Sequence, residues 1–162
     1  MTINLRKEFR ELIDKHGHWL VIRQAIPGRK CACINPLTED ANVDCGRCLG
    51  SGYAYVDRFI RGRKSRPVRL NQVSGSSKRT AIMEMTGLDN TFYVQHTVKP
   101  TSLDYVLEIA LDPLDQTPER PYRVLSVHKI TDAREQRDMN GRIEYFALST
   151  VVQAWPEFNI NA

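Results

Sequence analysis

The four cysteines of the chain fall within 18 positions, as Cys31-x-Cys33, eleven intervening residues, then Cys45-x-x-Cys48. Two close pairs joined by a polar spacer can each supply two sulfurs from one tight turn. Soft thiolates suit a borderline-soft ion with a filled d shell, which accepts whatever tetrahedron the sulfurs offer. The spacing therefore predicts that Cys31, Cys33, Cys45 and Cys48 hold one Zn2+. Four protein ligands leave no position for water, so the ion is expected to be structural and not catalytic. Gly50 and Gly52 follow Cys48 at two and four positions, where a chain folding around sulfur enters backbone regions that glycine tolerates. Arg29, Lys30 and Arg47 can offset the surplus negative charge of four thiolates around a dication. Disulfides fit less well, because Cys31 and Cys33 are too close for an easy bridge and no secretory signal is read near Met1. A redox role for Cys45-x-x-Cys48 would want a βαβ setting, which the sequence lacks.

The other candidate groups are sparser. His16 and His18 lie just ahead of Trp19 and are read as helix-end or surface residues. His96 and His128 are isolated in strand-like runs and are read as packing or surface residues. Asp57, Asp104 and Glu108 are scattered along the chain and suggest no acid/base pair. Nucleotide-binding loops, nucleophile elbows and metalloprotease motifs are absent from the sequence. An enzyme is not expected on these grounds.

The net charge is +4, and it is uneven. Arg58, Arg61, Arg63, Lys64, Arg66, Arg69, Lys78 and Arg79 form a block with no acidic residue between its ends. Since 4 − 8 = −4, the remainder is net acidic. The block is a candidate contact for DNA phosphates or an acidic protein partner, against a plainer reading as a solvated strand face. Tyr53, Tyr55 and Phe59 alternate just upstream, a pattern that marks a core face more often than a base-stacking surface.

The elements that must position these groups are mostly strands. Leu5, Phe9, Leu12 and Ile13 predict a short amphipathic helix ending near His16-Gly17. Trp19–Ile26 reads as a strand stopped by Pro27-Gly28. Residues 27–53 read as a loop insertion carrying the metal site. Further strands are expected at Ala54–Arg61, Arg66–Val73, Thr80–Met85, Thr91–His96, Leu103–Leu111, Tyr122–Lys129 and Arg142–Gln153. Gly62, Ser74-Gly75-Ser76-Ser77, Asp89-Asn90 and Asn140-Gly141 are read as turns, Pro113–Pro121 as an exposed loop, and the charged Asp132–Gly141 stretch as a hairpin tip or partner-binding loop. The expected fold is mainly β: one domain over residues 1–162, with residues 54–153 forming a small β-barrel or sandwich behind the helix and the zinc loop. No run approaches the ~20 apolar residues of a membrane span, so no membrane partner is expected.

Cys31-x-Cys33 with Asn35 and Pro36, then Cys45-x-x-Cys48-x-Gly50-x-Gly52-Tyr53, resembles a zinc-loop module in head–tail connector proteins of tailed bacteriophages. These are the head-completion, adaptor and stopper proteins of the neck. The closing segments Asp104–Glu108, Pro121–Val127 and Gly141–Leu148 are similar to the final strands of the small barrels in that group. The resemblance implies a virion protein assembled in the host cytoplasm as a ring of identical subunits. That ring would lie between a portal or adaptor above and a tail or terminator protein below. It would line a channel with diffuse charge for passing DNA. The contrasting reading is a zinc-containing nucleic-acid-binding protein acting alone. Cys45–Gly52 also resembles one repeat of the zinc domain of Hsp40-type chaperones, but the chain has one such repeat and no His-Pro-Asp motif.

Overall fold

A computed structural model describes residues 4–65 and 89–154. Helix α1 (Leu5–His16) starts where Asn4 accepts a hydrogen bond from the Lys7 amide and ends where the Gly17 amide donates to Ile13. Strands β1 (His18–Lys30), β2 (Tyr53–Ser65), β3 (Asp89–Gln95), β4 (Tyr105–Ile109), β5 (Val124–Arg137) and β6 (Ile143–Gln153) follow. They close into an antiparallel barrel in the order β1-β2-β3-β6-β5-β4. The expected mainly β fold with one short helix and a cysteine loop is thus observed, as a barrel. No described helix is long and apolar enough to cross a membrane.

Strand β6 shows why a barrel forms. Glu144, Phe146, Leu148 and Thr150 are buried while their neighbours are half-buried or, at Val151, exposed, the period-two pattern of a strand with one face on a core. Leu20, Ile22, Ile60, Phe92, Val94, Val106, Ile130, Phe146 and Leu148 fill the interior. In β5 an extra residue, Thr131, breaks the register between Ile130 and Asp132. This bulge reverses the phase of the strand, so Ala133 packs on the interior core as Ile130 does. Helix α1 packs across β2 and β6, with Phe9 stacked on Tyr145 at 4.4 Å between ring centroids.

In β1, Leu20, Val21 and Ile22 are all fully buried, so both faces of this strand are covered. Val21 joins Tyr105, Leu107, Ile109 and Val127 in a second apolar layer outside the barrel, with Leu49 from the cysteine loop packed into it. Tyr55, Leu111, Tyr122 and Val124 border the same layer.

One mouth of the barrel is polar. Lys64 Nζ donates to both Glu108 oxygens, at 2.9 and 2.7 Å. Ser126 Oγ donates to Glu108 Oε2 at 2.5 Å. His128 Nε2 lies 2.8 Å from that oxygen and 2.9 Å from Ser126 Oγ. His128 Nδ1 is buried without a hydrogen-bond partner among the described residues, so the geometry assigns the ring proton to Nε2. His18 shares this mouth, and burial lowers its pKa. Serine and carboxylate meet the same nitrogen, whereas a nucleophilic relay needs one on each side of the ring.

Several sequence expectations change. Strand β1 does not stop at Pro27-Gly28. It continues to Lys30 through an irregular stretch in which Gly28 has φ +72°. Gly62 is not a turn but lies within β2, where a Cβ would sit 2.9 Å from Leu20 Cδ1 and 3.1 Å from the Tyr93 carbonyl oxygen. Asp89-Asn90 opens β3 and is not a turn. Most of Asp132–Gly141 is strand, and the hairpin tip narrows to Asp138–Arg142, where Asp138 accepts from the Asn140 and Arg142 amides. The expected strands Arg66–Val73 and Thr80–Met85, and the turn at Ser74–Ser77, lie outside the described residues.

Burial would raise the Glu108 pKa, but hydrogen bonds from His128, Lys64 and Ser126, with the Lys64 charge, hold it far below the ordinary carboxylate range. The unfolded chain binds that proton more readily. The resulting stability is fully present above the ordinary value of 4.5 and is lost as pH falls below it. Urea unfolding across that range should show a shallower acid-side decline for Glu108→Gln than for the unaltered chain. Equal slopes would show that Glu108 is not selectively held ionised.

Candidate metal centre

The loop between β1 and β2 is organised by local hydrogen bonds before any metal is considered. At its base the Cys31 amide donates to Gly52 at 2.8 Å. The Ile34 amide donates to Cys31 at 3.2 Å and closes the first cysteine turn. The second turn is closed by Leu49 on Cys45 at 2.8 Å and Ser51 on Cys48 at 3.0 Å. Between them, the Asn35 and Asn42 side chains accept from the amides of Leu37 and Asp44, each at 2.9 Å, two local turns that need no core. Leu49, Gly50 and Gly52 have φ of +53°, +77° and +79°. A Cβ on Gly50 would also come within 3.3 Å of the Val43 backbone, so glycine is required there on both counts.

These turns bring the four sulfurs together. All lie within 4.8 Å of one another, with Cys31 Sγ 3.9 Å from Cys45 Sγ and Cys33 Sγ 3.4 Å from Cys48 Sγ. A tetrahedron with metal–sulfur bonds of about 2.3 Å has sulfur–sulfur edges of about 3.8 Å. The spacing fits one metal ion. No disulfide links these cysteines.

Backbone amides and burial act on the sulfurs in opposite directions. The Cys33 amide faces Cys31, the Asn42 amide faces Cys33, the amides of Arg47 and Cys48 face Cys45, and those of Gly50 and Gly52 face Cys48. Each amide dipole stabilises a thiolate against a thiol. Burial outweighs them at Cys31, Cys33 and Cys48 and pushes those thiols up. At Cys45 burial acts in the same direction, but hydrogen bonds prevail and bring the thiol down to about 7. Arg23, Arg29, Lys30 and Arg47 line a cavity beside Cys31, so positive charge gathers where the thiolates would lie.

Two anchors fix the loop to the barrel. Cys48 is fully buried, and Leu49 enters the outer apolar layer. The second anchor is ionic. Arg23 on β1 forms a two-pronged pair with Asp57 on β2, Nε to Oδ1 and Nη2 to Oδ2, both at 2.8 Å. The same guanidinium donates from Nη1 to the Gly46 carbonyl at 3.1 Å. Tyr122 completes the group by donating its hydroxyl to Asp57. Burial pushes the Tyr122 phenol up to about 12, helped by that hydrogen bond. Asp57 and Glu108 had suggested no pairing in the sequence; each is the hub of a separate network.

The basic block does not form one surface among the described residues. Arg58 is exposed and donates to Gln24 at 2.9 Å. Arg61 donates to the Gly17 carbonyl at 2.9 Å and sits over the Trp19 ring at 5.6 Å. Arg63 is exposed, and Lys64 turns into the barrel mouth to meet Glu108. Arg66, Arg69, Lys78 and Arg79 lie outside the described residues. Tyr55 and Phe59 pack edge-on against Tyr105 and Tyr122, at 5.6 Å in each case, while Tyr53 remains exposed.

Compared with protein-family models and with curated proteins, the sequence finds no significant match.

Asp57→Asn should weaken the hold of Arg23 and lower stability by about 1–3 kcal/mol. Because Arg23 also holds Gly46, the variant should surrender its metal to a chelator faster than the unaltered chain. Unchanged metal release with lowered stability would show that the ion pair braces the barrel alone.

Proposed function

We propose that this chain is a structural protein of a tailed-phage neck, braced by one zinc ion, that forms a homo-oligomeric ring joining head and portal to tail around the DNA channel. The observation that carries the reading is the four-sulfur cluster, in its Cys-x-Cys and Cys-x-x-Cys-x-Gly-x-Gly-Tyr setting, mounted on a closed six-stranded barrel. Zinc follows from the donor set: four thiolates close the coordination shell, and their converging spacing suits a tetrahedral ion. The loop has few core-forming side chains of its own, so binding energy contributes to folding it. A structural role agrees with a site that leaves no ligand position for a substrate.

The channel reading asks for diffuse positive charge and no base-reading contacts. Exposed Arg58 and Arg63 suit that role, while Arg61 and Lys64 are held by internal partners.

Elemental analysis of protein purified without added metal should give about one zinc per chain, and colourless protein would exclude iron in the same ligand set. Cys45→Ser should lose the metal and loosen residues 31–52 while the barrel keeps its β-type circular dichroism. Folded protein with an ordered loop and no metal would sink the zinc assignment. Electron microscopy of the particle carrying this chain should place it as a ring at the neck. Its absence from particles, or salt-dependent binding of short duplexes by the monomer, would favour the free-standing binder.

A further inference from the structure

The barrel order sets β1 and β2 across the circumference from β6 and β5. The metal loop joins the first pair and the Asp138–Arg142 tip joins the second. Both emerge at the same end, since the registers run from Ala25–Tyr55 and Arg23–Tyr105 to Tyr105–Lys129, beyond which β5 and β6 continue as a hairpin. One chain therefore presents two different features on opposite flanks of one end. Contacts between unlike surfaces are what a head-to-tail ring requires.

The two flanks differ in charge. From Leu37 to Asp44 the loop carries Glu39, Asp40 and Asp44 and no cation. Leu37 and Val43 stand 92% and 77% exposed there. The opposite flank holds a cavity of about 540 Å³ between α1, the turn after β3 and the hairpin. Arg6, Lys99 and Arg137 line it, and Pro100 and Phe146 give it an apolar floor. Glu135 is its acidic lining residue and pairs with Arg137, and Arg6 lies 3.7 Å from Glu144, so Lys99 is the lining cation without an ion pair among the described residues. Burial lowers the His96 pKa, Arg6, Arg10 and Arg142 lower it further, and Glu144 opposes them.

We infer that the acidic, apolar tip of the metal loop seats in this basic cavity of a second copy of the chain, and that repetition of this contact closes the ring. The inference rests on the ring reading above and specifies its contact. Glu39 is paired with Lys30 at 3.4 Å in its own subunit, an exposed pair of small worth. Asp40 is the loop acid best suited to a test, with exposed Lys99 as its counterpart.

The test is a charge swap read by sedimentation and light scattering, with metal content checked on each variant. Asp40→Lys and Lys99→Glu should each weaken self-association by roughly tenfold or more, and more strongly at low salt. The chain carrying both changes should recover most of the loss. Oligomers indifferent to either single change, or a combined variant as dissociated as the singles, would overturn this contact and leave the ring standing. Metal lost in Asp40→Lys but retained with both changes would still count for the contact, since a damaged loop cannot be rescued from the cavity. An unaltered chain that stays monomeric up to millimolar concentration would overturn contact and ring together.

Discussion

The outer face of β1, β4 and β5 is apolar, and the molecule is arranged around the need to cover it. Val21, Leu107 and Val127 are almost fully buried although they point away from the barrel interior. A closed barrel satisfies its backbone hydrogen bonds internally but leaves such a face to water unless another segment lies over it. The metal loop and the segment before β5 supply that cover through Leu49, Leu111 and Tyr122. Burial of one leucine contributes about 1.5–3 kcal/mol, while ordering a residue of loop backbone costs about 1–2 kcal/mol. Leu49 alone therefore offsets the ordering of only one or two residues. The local turns, the Arg23 contact with Gly46 and the sulfur cluster must hold the rest.

Charged groups inside the fold follow a related constraint. Arg23 follows the buried Ile22, Glu108 lies between the buried Leu107 and Ile109, and each sits at the centre of several hydrogen bonds. A buried ion is tolerated only in such company. The two networks do different work. Arg23, Asp57 and Tyr122 tie β1, β2, the metal loop and the segment before β5 together at one flank. Lys64, Glu108, Ser126 and His128 link β2, β4 and β5 across the barrel mouth.

The legible parts of the sequence were those set by neighbours along the chain. The cysteine pairs, Gly50 and Gly52 lie within one loop, so their spacing already contained the cluster. The alternation of β6 and the periodicity of α1 are local in the same sense. Leu20-Val21-Ile22 marked a strand, yet nothing local said that Leu49 would cover its outer side. Glu108 and His128 meet because Glu108 pairs with Ser126 across β4 and β5, and Asp57 meets Arg23 through the β1–β2 register. Such registers depend on the closed barrel and leave no mark on spacing. Gly62 was misread because a strand glycine needed for close approach looks like a turn residue until Leu20 and Tyr93 are placed around it.

Charge along the metal loop is divided in a way that its near-neutral composition conceals. Arg29, Lys30 and Arg47 line the cavity beside Cys31, with Lys30 reaching across to Glu39 at 3.4 Å, while Asp40 and Asp44 are exposed. A dication with four thiolates would carry net negative charge, and the basal cations lie close enough to compensate it. Beyond a screening length of about 8 Å at physiological salt, a partner senses mainly the nearest charges, and with Glu39 offset by Lys30 these are Asp40 and Asp44. The arrangement therefore does two things: it lets anionic sulfurs assemble without excess repulsion, and it leaves Asp40 and Asp44 to charge the outer part of the loop. A loop with cations beside Asp40 and Asp44 as well would lose its charge contrast with the flank that carries Arg6 and Lys99.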